Sequence, residues 1–289
     1  MKYICLLFLL VGLTSKLYSQ PAPEKLFLVC GDTKVLLVNY TTSKDSIPNI
    51  IWSWDAATAH DLPDDMRKKF KTLDDCKHYG DLILVSSSGG AIAVINKKTD
   101  KIIFYADVAM AHSVESLPGG LLAAAASTHV KGNKLMVFDP KKGNTPVYTD
   151  SLYSGHGVVW DAVRKSLYTL NYNALREYKL NSANGIMALI NEWKIPGKGG
   201  HDLQMAPDGK RLFLTTETSS HEFNLVTHQF TDIRGWGNIP NIKSVGQNQE
   251  GQFIYTLPEE SWWTYHVKFS NPARVFTFGK MHVYKARWY

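Results

Sequence analysis

Three histidines recur along this chain at nearly even steps: His112, then His156 after 44 residues, then His201 after 45, with Lys243 following 42 residues later. Imidazole ligates divalent transition metals well, and three protein ligands with one position open is the arrangement of a catalytic metal centre. A lysine desolvated beside such a centre loses part of its basicity and becomes a usable proton acceptor near neutral pH. The spacing therefore predicts a divalent metal, Mn, Zn or Ca, held by His112, His156 and His201 with the amide oxygen of Gln247, and Lys243 as the catalytic base. Asp74 or its neighbour Asp75, Glu115, Gln204 and Trp236 are the candidate ligand-binding groups, Trp236 offering a flat indole to a sugar face. Histidines at strand starts also satisfy backbone groups in neighbouring turns, so a structural repeat is the competing account. Imidazoles that meet on one axis repel when charged and must be paired or metallated, which favours function.

Even steps of this length need an element that returns to the same place every 42–45 residues. Each step contains a short strand, a tight turn made by Gly with Pro or Asp, and further apolar strands: Ala111 to Leu122, Gly155 to Leu170, Gly200 to Phe213 and Ile242 to Leu257. About four strands per period is the signature of propeller blades, and the first strand of each blade lines the central channel. Upstream, strands are predicted near Leu73 to Lys77, Leu82 to Ser87, Ala91 to Asn96 and Lys101 to Tyr105. Lys25 to Val29, Val35 to Asn39 and Ile50 to Trp54 make a first blade one strand short, and Met281 to Trp288 supplies the missing strand. The predicted fold is all-β, a six-bladed propeller of four-stranded blades closed by the C-terminal strand. Ala56 to Lys71 interrupts the strand pattern, and its length makes it a candidate lid holding a helical turn.

Residues 1–20 read as a cleaved signal peptide: a basic start, an apolar run from Tyr3 to Leu13 and small residues near the exit. Residues 21–289 then form one propeller domain, periplasmic or secreted, and expected to be a monomer. The apolar run is too short to cross a bilayer and no later stretch is long enough, so no membrane span is expected. Losing residues 1–20 removes Lys2 and Lys16 and no acid, taking the formal charge from +6 to +4. That balance suits an anionic ligand. Lys and Arg are scattered without aromatic interleaving, which argues against nucleic acid. Cys30 and Cys76 both fall in strand-like stretches, and the sequence leaves open whether they pair.

The stretches AHSVESLPGG (Ala111 to Gly120), SGHGVVWD (Ser154 to Asp161) and GGHDLQMAPDG (Gly199 to Gly209), with the terminal YKARWY, resemble a family of uncharacterised secreted six-bladed propellers of glycan-degrading Gram-negative bacteria. The resemblance covers nearly all of residues 21–289 and implies fold and compartment, not activity. In architecture and ligand types the chain also resembles oligogalacturonate lyase, although that propeller has seven blades and its ligands follow another register. The resemblance implies a metal-assisted uronate lyase acting on an anionic glycan. A non-catalytic glycan-binding or scaffold propeller and a metal-dependent hydrolase are the alternatives.

Overall fold

The computed structural model describes residues 24–236 and 239–289; the expected signal peptide lies outside the described residues. Six antiparallel four-stranded sheets follow one another as the blades of a propeller. Their inner strands are Val283–Trp288 for blade one, then Leu73–Tyr79, Ala111–Leu117, Gly157–Asp161, Asp202–Met205 and Ser244–Gln247 for blades two to six. Among the described residues no helix is long and apolar enough to cross a membrane.

Each blade packs both of its faces against neighbours, so its second strand is mostly buried and apolar along its length instead of alternating. Leu121–Ala126, sequence LLAAAA, is buried at every position, and its alanines let adjacent blades approach closely. The outermost strands lose that cover, and Ile47–Asp55 and Ile186–Lys194 are largely exposed. A separate apolar cluster fills each of the six joints between blades. The joint between blades six and one is aromatic, with Phe27 packed edge-on to Phe269 at 5.2 Å and stacked on Phe276 at 5.8 Å.

The ring closes as the repeat predicts. Val283–Trp288 pairs antiparallel with Leu26–Gly31, so one blade holds strands from both ends of the propeller and no inner edge is left open. A Cβ at Gly31 would collide with the carbonyl of His282, so only glycine lets the closing strand in at this point.

The segment between blades one and two does contain helical turns, Asp64–Arg67 followed by Lys68–Phe70. Leu62, Met66 and Phe70 are buried in the joint of blades one and two, with Phe70 edge-on to Trp54 at 6.3 Å. Ser87 Oγ also donates to the carbonyl of Lys69. The expected lid is thus anchored along one side to the blades. Cys30 and Cys76 are free thiols, both fully buried in the same joint.

An ion-pair plug crosses the axis. Arg287, from the closing strand, donates to both carboxylate oxygens of Asp202 in blade five at 2.5 and 2.6 Å, and through Nε to Asp75 Oδ1 in blade two at 3.0 Å. Lys285 Nζ stands 3.0 Å from Asp202 Oδ1, Ser113 Oγ of blade three donates to Asp75, and the Val245 amide of blade six donates to Asp202. None of these charged side chains is more than 2% exposed, so the channel is blocked rather than open from end to end. Burial alone would raise both carboxyl pKa values, but the Arg287 and Lys285 charges overcome it and hold Asp75 and Asp202 below the usual carboxylate range.

Removing one partner of a buried ion pair leaves an uncompensated charge in low dielectric. Arg287→Ala is therefore expected to lower stability by about 3–5 kcal/mol, enough to approach the whole margin of many domains. Equilibrium denaturation would show it, and a loss under about 1 kcal/mol would mean the plug does not hold the ring.

Candidate functional site at the channel mouth

Directly above the plug, each blade delivers one side chain to the mouth where the inner strands begin. In blades two, three and one that residue is the extra one of a β-bulge: Asp74 between Leu73 and Asp75, His112 between Ala111 and Ser113, and Tyr284 between Val283 and Lys285. In blades four to six it immediately precedes the strand, its amide donating to the end of the second strand: His156 to Leu170 O, His201 to Thr215 O and Lys243 to Thr256 O. Bulges re-aim a side chain, and in blades two, three and one they turn the second residue of the inner strand toward the mouth. The ring therefore runs Tyr284, Asp74, His112, His156, His201, Lys243. The next residue in each blade lies at plug level: Lys285, Asp75, Ser113, Gly157, Asp202 and Ser244.

His112 and His156 are anchored alike, each placing Nδ1 2.9 Å from the carbonyl two residues earlier, Met110 and Ser154. A neutral imidazole bonded this way carries its proton on Nδ1 and turns the Nε2 lone pair outward. Their ring centroids are 4.3 Å apart, and His156 is 5.8 Å from His201. His201 is turned differently, with Nε2 2.9 Å from Lys243 Nζ and Nδ1 buried without a partner. Asp74 accepts the Ser88 amide through Oδ2 and leaves Oδ1 3.8 Å from His112 Nε2. Among the described residues, no three His, Cys, Asp or Glu side chains are already gathered about one point as a metal shell.

Burial sets the protonation of this ring. It pushes His156 well below the ordinary imidazole value, helped by the neighbouring His112. It takes His201 down to about 3, with Lys243 adding repulsion. Both are neutral at physiological pH. Burial also lowers Lys243 to about 8, Lys285 lowering it further and Glu217 opposing. Burial raises Asp74, against the pull of His112 and its bond to Ser88, and raises the Tyr284 phenol well above its usual range.

A cleft of about 400 Å³ opens over Lys243, lined also by Pro240, Asn241, Pro258, Glu259 and Trp262. The Trp262 indole is 60% exposed, with its ring centroid 5.4 Å from Lys243 Nζ, so a flat apolar face and an amine share one wall.

The structure thus brings His112, His156, His201, Lys243 and Asp74 together and separates the rest. Glu115 and Gln204 lie three residues further along their inner strands, below the plug, where Glu115 pairs with Lys77 at 3.1 Å and both line a 170 Å³ pocket at the opposite mouth. Gln247 ends its strand and bonds the Gly251 carbonyl in its own hairpin. Trp236 packs on Phe253 and Tyr255 at 4.7 and 4.5 Å, in the joint of blades five and six. Sequence reasoning missed Tyr284, Lys285, Arg287, Glu217 and the exposed indole of Trp262. Aligning the terminal strand with the repeat would have exposed the first three, since Tyr284-Lys285 matches Asp74-Asp75 and His201-Asp202.

A plugged six-bladed propeller carrying one polar group per blade at a single mouth is the class that fold and site define. The chain belongs to a family of unknown function, DUF6528, which matches residues 18–289. No curated protein matches it in sequence. Among solved structures it is similar to a chain of the Mitotic Checkpoint Complex, with a TM-score of 0.57 and 13% identity over 87% of this chain and 71% of that one. It is also similar to Kuenenia stuttgartiensis hydrazine synthase, with a TM-score of 0.50 and 15% identity over 68% of this chain and 62% of that one. At such identities the likeness is one of fold alone.

Lys243 titrates below its unfolded value of about 10.4, so between about pH 8 and 10 the unfolded chain binds more protons than the native one and stability climbs with pH. Lys243→Met is expected to remove roughly 1–3 kcal/mol of that climb, one pKa unit being worth about 1.4 kcal/mol. Denaturant titrations of both proteins at pH 7.5 and 10 measure the difference, and parallel pH dependences would contradict it.

Proposed function

We propose that this propeller binds an acidic sugar at the mouth bearing the histidine ring and acts on it as a uronate lyase, with Lys243 as the base. The observation that carries the reading is an amine of pKa about 8 held 2.9 Å from a neutral imidazole, under an exposed indole. A base works best when its pKa lies near the working pH, and a lysine brought to this value fits that role. His201 accepts one amine hydrogen and so orients the lone pair. The Trp262 face suits the apolar side of a pyranose. In the proposed step the neutral amine takes the proton α to the uronate carboxylate. A C=C bond forms to the neighbouring carbon, whose bond to the glycosidic oxygen breaks; that oxygen leaves with the electron pair and is protonated by the lysine ammonium or by water. An anionic glycan met outside the cytoplasm, after cleavage of residues 1–20, is the partner this reading requires.

Wild-type protein should generate unsaturated-uronate absorbance from uronate oligosaccharides at a rate that rises with pH and levels off above about 8. Lys243→Ala should lower it by about 10²–10⁴-fold, the usual contribution of a positioned base. An unchanged rate in that variant would reject the mechanism. Binding of the oligosaccharide without turnover in wild type would leave a non-catalytic glycan-binding propeller, and solvent oxygen appearing in the cleaved product would indicate hydrolysis instead.

A further inference from the structure

Two lone-pair donors face each other at this mouth. His112 gives its Nδ1 proton to Met110 O, so in its neutral form Nε2 is an acceptor, yet its near neighbour is a second acceptor, Asp74 Oδ1, at 3.8 Å. That separation is too long for a hydrogen bond. It is short enough for a shared cation: with metal–nitrogen distances of about 2.0–2.1 Å and metal–oxygen distances of about 2.0–2.2 Å, a nitrogen and an oxygen on one ion lie no more than about 4.3 Å apart. His156 adds a third lone pair freed in the same way, because its Nδ1 bonds the Ser154 carbonyl as His112 bonds Met110, and the two ring centroids are 4.3 Å apart. Ligating histidines typically donate their second nitrogen in this way, which fixes the tautomer and aims the ring. Asp74 is itself held by the Ser88 amide through its other oxygen. His201 has its Nε2 occupied by Lys243.

We infer that the mouth holds one divalent transition-metal ion through His112 Nε2, His156 Nε2 and Asp74 Oδ1, with His201 and Gln247 outside the shell. Two imidazoles and one carboxylate form a ligand set that leaves coordination positions open. The ion would draw the carboxylate of an acidic ligand toward the amine of Lys243. The inference rests on this mouth being the ligand site, but not on any turnover there.

The test is Zn²⁺ binding by calorimetry, with the visible spectrum of the Co²⁺ form, on untagged full-length protein stripped with chelator. Wild type should bind one ion per chain. Asp74→Asn keeps the shape and an acceptor for the Ser88 amide, and should weaken Zn²⁺ binding about 100-fold. His112→Ala and His156→Ala should do the same, with thermal melts confirming that each variant is folded. His201→Ala and Gln247→Ala should bind within about twofold of wild type. Absence of binding in wild type, or full binding in Asp74→Asn, overturns the inference. A loss in His201→Ala equal to that in His112→Ala assigns a three-imidazole shell and overturns the ligand set. Zn²⁺ bound as expected alongside an unaltered elimination rate in Lys243→Ala would reject the lyase reading and leave the metal site standing.

Discussion

The structure depends on one buried guanidinium. Arg287 reaches across the axis from the closing strand and satisfies Asp75 and Asp202 on opposite sides of the ring, while Lys285 adds a second positive charge against Asp202. Two carboxylates and two cations out of water are costly separately and tolerable only together. Because both cations lie on the last strand, the charges balance only when that strand has docked, which couples ring closure to burial of the core beneath the mouth. The plug also gives the mouth a floor, so the upper ring stands over a blocked axis in place of a through channel.

That floor explains the chemistry above it. Lys285 pushes positive potential into the ring, and burial removes the water that would stabilise charge there. His156 and His201 respond by staying neutral, and Lys243 by dropping to about 8. A propeller needs no such groups for stability: the joints between blades are filled by apolar clusters, and a small or apolar residue at each ring position would fold as well. Concentrating imidazoles, an amine and a carboxylate where they are desolvated runs against folding economy and is the usual mark of a working site.

The propeller was legible in the sequence because its period is carried by turn chemistry and apolar runs repeated at fixed steps. Three of the six ring positions, His112, His156 and His201, repeat one residue type and announced themselves, and Lys243 followed by register. Asp74 remained ambiguous with Asp75, since a bulge decides which of two neighbours stands in the upper ring and which at the plug, and its local signal is weak. Glu115, Gln204 and Gln247 were drawn toward the histidines by closeness along the chain. Each inner strand runs the depth of the ring, so a side chain three or four residues on emerges at the other end or in the hairpin beyond. Trp236 and Trp262 sit in similar turn-rich connections, and only tertiary packing distinguishes the indole held against Phe253 and Tyr255 from the one standing free beside Lys243.

The account turns on Lys243 being an amine poised near neutrality by burial. Protein labelled with ¹³C at the lysine side chains, with Lys243→Met supplying the assignment, lets the Lys243 resonance be followed against pH by NMR. The account predicts a midpoint of about 8 for that resonance. A midpoint at the ordinary value of about 10.4 would contradict it and leave the ring without a base at physiological pH.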